Sequence, residues 1–378
     1  MQLSISLFYR WLCTKHKNQC AKGFTLLELL ISLVIAGMVT SGLLYTVVEL
    51  TKIDKREASI DQVQRDMQRA MDYIVDDLQE AVYVYTDPNI IADQLAADDD
   101  FPKVADGAVP VLAFWRVDPI EGREIERLKD DCDDYETDAK DRICDVLKIR
   151  QASYTLVVYS QQINDPTDNK WLGQSRIIRY QLSRYTAAGL ETLTERDGYR
   201  DPTKQNDPDA RFEDWKVDNI VTPATATEPA VIGATEEPKG DAAVLVDFIQ
   251  TPNLPPSSAL NRPPLSHKDS DGNDVPCYEY GVIHVDDDDD PTTATVDEPL
   301  YKVTPSTART TLNNTFFACV RDPDPANNTA ANSNQDVYLF LRGSTQGISG
   351  GVNSFSEESS LPILETQVLV RGVIDKNI

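Results

Sequence analysis

The spacing of apolar and polar positions divides the chain into three regimes. The stretch FTLLELLISLVIAGMVTSGLLYTVV, residues 24–48, is 25 residues long with Glu28 its only charge. That is enough to cross a bilayer, since a spanning helix needs roughly 20 apolar residues. After Val48 the chain turns polar, yet no Pro or Gly appears until Pro88. Ile53, Ile60, Val63, Met67, Ile74 and Leu78 recur there at helical steps, a stripe on one face. The pattern therefore predicts one helix running on to about residue 85, with the stripe serving as packing surface for the protein's own sheet. Past Pro88 come short β-rich runs between polar stretches, which predict strands at Val111–Val117, Tyr154–Ser160, Arg176–Leu182, Ala243–Ile249, Tyr278–Val285, Asp336–Arg342 and Ile363–Val370. Tyr154–Ser160 and Arg176–Leu182 are placed to pair across the intervening polar loop. The Pro- and Asp-rich stretches 201–241, 252–276 and 321–335 read as surface loops or partly disordered insertions.

The fold class is thus α+β. A leader, 1–23, precedes a transmembrane half-helix, 24–48, and an amphipathic half-helix, 49–85, packed on an antiparallel β-rich head, 86–378, with long acidic loops.

Charge adds direction. The basic side chains before Phe24 are Arg10, Lys15, Lys17 and Lys22, with no acid among them; the chain's 36 basic residues less these four, against 62 acidic ones, leave −30 on the remainder. Under the positive-inside rule the basic flank stays in the cytoplasm and the acidic bulk lies outside it, in contact with membrane lipid only through the apolar run. So acidic a body repels phosphate backbones, and no basic patch offsets it; nucleic acid is not among the expected partners.

Four cysteines follow the apolar run: Cys132, Cys144, Cys277 and Cys319. In an oxidising compartment they permit three pairings, of which the simplest is Cys132 with Cys144 and Cys277 with Cys319. A zinc site is the alternative, but no C-x-x-C spacing occurs.

Glu28 is the anomaly of the apolar run. A carboxylate inside a spanning helix costs roughly 2.5 to 3.5 kcal/mol on insertion scales and calls for a partner. It either sits near the interface and snorkels, or meets a positive group at the same depth. No A-x-A-like site closes the run as in a secretory signal peptide. Lys22-Gly23-Phe24-Thr25-Leu26-Leu27-Glu28 instead resembles the class III signal of type IV pilins and type II secretion pseudopilins. The resemblance implies that prepilin peptidase cuts after Gly23 and methylates Phe24. It further implies that Glu28 pairs with the terminal amine of a neighbouring subunit during assembly. Gly37 falls where that family often has glycine, and Tyr45 stands where many major pilins have a proline, which leans toward a minor pilin or pseudopilin. The implied partners are prepilin peptidase, other pilins or pseudopilins and an inner-membrane assembly platform. The helix-then-sheet order resembles the minor pilins of the PilW-like type and the J-type pseudopilins of type II secretion. The acidic insertions and the late FFACVRDPDP and VYLFLRGS segments resemble the pseudopilins of hormogonium polysaccharide secretion in filamentous cyanobacteria.

Other chemistry is sparse. KDSDGNDV gathers Asp269, Asp271, Asn273 and Asp274 around Gly272, an oxygen-rich turn that could wrap Ca2+. It departs from the D-x-[DN]-x-[DN]-G loop in the place of its glycine and lacks the distal glutamate, so a polar loop is the preferred reading. Asp286 to Asp290 are five like charges that stay hydrated unless a cation gathers them. With only His267 and His284 beyond the leader and no G-x-S-x-G, nucleophilic catalysis is not expected, and the chain reads as a non-enzyme. The expectation is a subunit that assembles through its N-terminal helix, at a tip or initiation position because its charge would repel along a uniform fibre. The alternative is a single-pass anchor carrying a binding or enzymatic domain outside the cytoplasm.

Overall fold

The computed structural model describes residues 24–371 apart from 121, 130–131, 136, 166, 168–169, 204–211, 214, 218, 223–230, 236, 252–265, 269–271, 273, 281, 287–294, 307–314, 322–334 and 349–360. Helix α1 spans Leu26–Gln79. Two compact units divide within it, the first ending at Lys55 and the second beginning at Arg56.

In the first unit every described side chain is exposed, Phe24 to Lys55 included. In the second unit α1 is amphipathic. Val63, Met67, Ala70, Met71, Ile74 and Leu78 are buried in one core with residues of two sheets, as the stripe predicts. Each such large apolar side chain contributes about 1.5 to 3 kcal/mol by leaving water. Ile53 belongs to the stripe by spacing but lies in the first unit, exposed.

The helix ends at Gln79, short of the expected residue 85, because Ala81–Val84 forms strand β1 against β2, Ala108–Pro119. No Pro or Gly marks this boundary in the sequence; pairing along β2 decides it. β3, Ala152–Ile163, and β4, Ser175–Ser183, continue the sheet as an antiparallel pair, as expected. β5, Asn219–Thr222, and β6, Val231–Thr235, form a small ladder of their own, and β7, Asp241–Ile249, pairs with β4. The sheet order is β1-β2-β3-β4-β7, antiparallel throughout.

Two further ladders follow, β8, Ser266–Lys268, with β9, Asp274–Pro276, and β10, Val282–Asp286, with β11, Thr295–Pro299. The predicted strand Tyr278–Val285 is therefore two elements, a 3-10 turn over Tyr278–Tyr280 and then β10. The second main sheet is β12, Tyr301–Thr304, β13, Phe316–Arg321, β14, Asp336–Leu341, and β15, Leu364–Leu369, paired in that order. The stretches 201–241 and 252–276, expected to be loops, thus carry short strands. Most of 321–335 lies outside the described residues.

Specific contacts join the two sheets. The Gln335 side chain accepts from Val84 N–H and donates to Val84 C=O, both at 2.9 Å, so its amide takes the place of a strand neighbour. Ile249 bridges Gly343, and a Cβ on Gly343 would lie 2.2 Å from Met67 Sδ, so glycine is what lets this turn meet α1.

Candidate functional site

The N-terminal end of α1 brings together the residues of the sequence motif that the structure describes. Phe24 is 80% exposed, and Thr25 precedes the helix. The Glu28 N–H donates to Thr25 C=O at 3.0 Å and to Thr25 Oγ1 at 3.3 Å, so Thr25 caps the helix and Glu28 stands at its third position. Thr-x-x-Glu is the capping-box spacing, and a carboxylate in the first turn is favoured by the positive end of the helix dipole. The Thr25-x-x-Glu28 spacing is the sequence signal for this local role. Lys22 and Gly23 lie outside the described residues.

The rest of this segment is built for a non-aqueous surround. Its hydroxyls are satisfied within the helix: Ser32 donates to Leu29 C=O at 2.9 Å, Thr40 to Ala36 C=O at 2.7 Å, Ser41 to Gly37 C=O at 2.7 Å and Thr46 to Leu43 C=O at 2.8 Å. These four hydroxyls then make no demand for water in hydrocarbon, which leaves the Glu28 carboxylate as the charged group that still needs a partner there. A Cβ added at Gly37 or Gly42 would meet nothing within 4 Å. Nothing in the described chain needs their small size, which leaves it available for close helix–helix approach. Among the described residues α1 is the one helix long and apolar enough to cross a membrane.

In the second unit a buried charged cluster centres on Asp77, which charge patterning did not single out. Asp77 is 4% exposed and receives Arg116 of β2, Tyr159 of β3 at 2.6 Å and Arg179 of β4 at 2.7 Å, so it ties α1 to three strands. Burial raises the Tyr159 hydroxyl well above its ordinary value, and the adjacent Asp77 charge raises it further. For Arg179 burial pulls the other way, but the hydrogen bond and charge of Asp77 outweigh it and the guanidinium is held more firmly protonated. Asp98 plays a similar part elsewhere, accepting from Tyr180 at 2.6 Å and from Gly240 N–H at 2.7 Å.

Both cysteine pairs are disulfides, Cys132 with Cys144 and Cys277 with Cys319. The first holds the helix Asp138–Arg150, capped by Thr137, against a small satellite core of Ile120, Leu128, Leu147, Leu190 and Leu193. The second pins the turn at Tyr278–Tyr280 to β13, beside the ring stack of Tyr280 on Tyr338. Of the expected calcium ligands, Asp269, Asp271 and Asn273 lie outside the described residues, as do Asp287 to Asp290; Asp274 is placed by its backbone in β9. Among the described residues no group of three or more His, Cys, Asp or Glu is arranged to hold a metal.

A single apolar N-terminal helix that continues into an amphipathic half packed on antiparallel sheets defines an α+β protein of pilin-like arrangement. Residues 18–44 match the family model described as the prokaryotic N-terminal methylation motif, which supports a type IV pilin-like protein. No curated protein and no solved structure matches the chain.

Proposed function

We propose that the protein is a minor pilin or pseudopilin that assembles through its N-terminal helix into a type IV pilus-like or type II secretion-like filament. The observation that carries this reading is the methylation motif over residues 18–44 placed on an apolar helix whose side chains are exposed from Phe24 to Val48. In this reading prepilin peptidase cuts after Gly23 and methylates Phe24, and the head lies outside the cytoplasm. Glu28 then answers two demands at once. It completes the capped first turn of its own helix, and it meets the amine of a neighbouring Phe24 in a medium where an unpaired charge is costly. The work is assembly rather than catalysis. The acidic head suits a tip or initiation position, because repeating so large a negative charge along a fibre is self-repelling. The helix-then-sheet order leans toward the PilW-like and J-type classes, with polysaccharide export the cargo reading that the acidic insertions and the late segments favour.

The test is the intact mass and N-terminal peptide of the membrane-extracted protein, with and without prepilin peptidase. A mature chain starting at N-methylated Phe24 only when the peptidase is present is the expected result. A chain that keeps its leader in both cases overturns it in favour of a membrane anchor with a separate binding or enzymatic head.

A further inference from the structure

Strand β7 closes the five-stranded sheet on one side, and no strand among the described residues pairs with its outer edge. Its C-terminal end is occupied: Phe248, at φ 64°, turns the chain, its carbonyl accepts from Ser344 N–H at 2.8 Å, and Ile249 bridges Gly343. Before that turn the situation differs. From Asp241 to Val246 the main chain pairs only with β4 among the described residues, in regular register from Asp241 opposite Gln181 to Val244 opposite Ile178. Successive residues of an antiparallel strand direct their N–H and C=O groups alternately to the two sides, so about half of these groups face outward, with no main-chain partner among the described residues.

Edge strands are commonly guarded by Lys, by Pro or by a covering segment. Ala242-Ala243-Val244-Leu245-Val246 has no charge and no proline. Asp241, Ala242 and Ala243 are exposed, and Val244 and Leu245 half-buried. Beside the strand runs a groove of about 440 Å³, lined by Asp66, Arg69, Ala70 and Tyr73 of α1 and by residues 245–248. Tyr73 is 46% exposed there. A row of outward main-chain groups unpaired among the described residues, next to a groove that accepts side chains, is the kind of surface on which an extended peptide adds as a further strand.

We propose that β7 receives, over Asp241–Val246, one extended segment of a different protein as a sixth strand, with an apolar side chain of that segment seated in the groove. The occupant is a strand flanked by basic residues rather than a second copy of this chain. Each copy carries a net charge of −26, so two such heads repel, whereas basic flanks meet the acidic surface. The inference stands whether or not the protein assembles into a filament.

The probe is a synthetic octapeptide, Lys-Thr-Val-Thr-Val-Thr-Val-Lys, added to the full-length chain in detergent, with hydrogen exchange read over 241–246. Without peptide, the outward amides should exchange at least tenfold faster than those of the β2–β3 ladder. The Lys-flanked peptide should slow them at least tenfold, and the same strand flanked by Glu should bind at least tenfold more weakly. Ala242→Pro and Ala243→Pro, made separately, keep the test sound: one removes an outward N–H and should abolish peptide protection with β2–β3 exchange unchanged, while the other weakens the β4 ladder itself. Slow amides in the dilute chain alone would mean that a segment of this chain covers the edge, and would overturn the proposal. So would protection that grows with protein concentration as the mass doubles, which identifies a second copy. Failure of either peptide to slow exchange, or equal binding of both, would overturn it as well.

Discussion

Asp77 enters the interior together with two arginines and a tyrosine, and the balance of that cluster depends on all its members. Two guanidiniums share one buried carboxylate, with Asp118 adding a second acid to Arg116 at 2.5 Å. Removing Asp77 leaves Arg179, only 9% exposed, without its countercharge. Asp77→Ala is therefore expected to cost about 3 to 5 kcal/mol, read as a shift in the urea midpoint. Replacing Asp77 and Arg179 together with leucine and methionine should recover much of it, since packed apolar residues often serve as well as a buried pair. A loss below about 1 kcal/mol for Asp77→Ala would mean that water already reaches the cluster. The buried tyrosines set a pH limit of their own. Burial raises the hydroxyls of Tyr159, Tyr180, Tyr185 and Tyr199 in the folded chain. Their folded values lie above the unfolded one, so their contribution is fully present below about pH 10 and is lost as the pH rises further. Stability should fall above pH 10 by up to about 1.4 kcal/mol per pH unit for each tyrosine kept neutral. Denaturation midpoints from pH 8 to 11 check this, and Tyr159→Phe should flatten the slope.

Among the elements, α1 was the most legible. Its stripe of Val63, Met67, Ile74 and Leu78 lies in the core, because a 3.6-residue period has one buried solution against a sheet. Its end was not legible: Ala81–Val84 carries the Val and Tyr of a strand, but nothing local breaks the helix before it, and β2 supplies the deciding hydrogen bonds. Strand β13 went unread although Phe316–Val320 is wholly buried, because a strand covered on both faces shows no alternation. The helix Asp138–Arg150 was overlooked behind its charges, with Thr137 its one clear start signal. The Cys132–Cys144 disulfide closes a loop with a sequence separation of 12 that ends within this helix, worth about 3 kcal/mol by loop entropy. Replacing both cysteines with alanine should raise amide exchange over Asp138–Arg150 roughly a hundredfold while the α1 core stays protected, since the satellite core is a separate cluster.

At the scale of the whole molecule, the two units make different demands. The first has no buried side chain among its described residues and exposes Leu27, Leu30, Val34 and Leu44 among many others, which calls for lipid or neighbouring helices. The second buries its apolar side chains in the head. Glu28→Gln separates the two roles of that residue. Glutamine preserves the capping-box geometry at the helix start but removes the charge. On the proposed function, the variant should be cut at Gly23 as efficiently as the unaltered chain yet enter filaments at least tenfold less, measured by the sheared fraction relative to the membrane pool. Normal incorporation would leave Glu28 with its local role alone.

What the sequence determined by itself was periodic or covalent: the apolar run with its single glutamate, the helical stripe, the cut-site motif and the cysteine count. Each depends on neighbours within a few residues, so local spacing carries it. Tertiary structure alone decided where α1 stops, that Asp77 meets Arg116 and Arg179 across 39 and 102 residues, and that Gln335 stands in for a strand beside Val84 across 251. It alone placed β7 at the end of the five-stranded sheet. These features arise from pairing between distant segments, where the partner's position and the exclusion of water set the energy, and no local pattern encodes either.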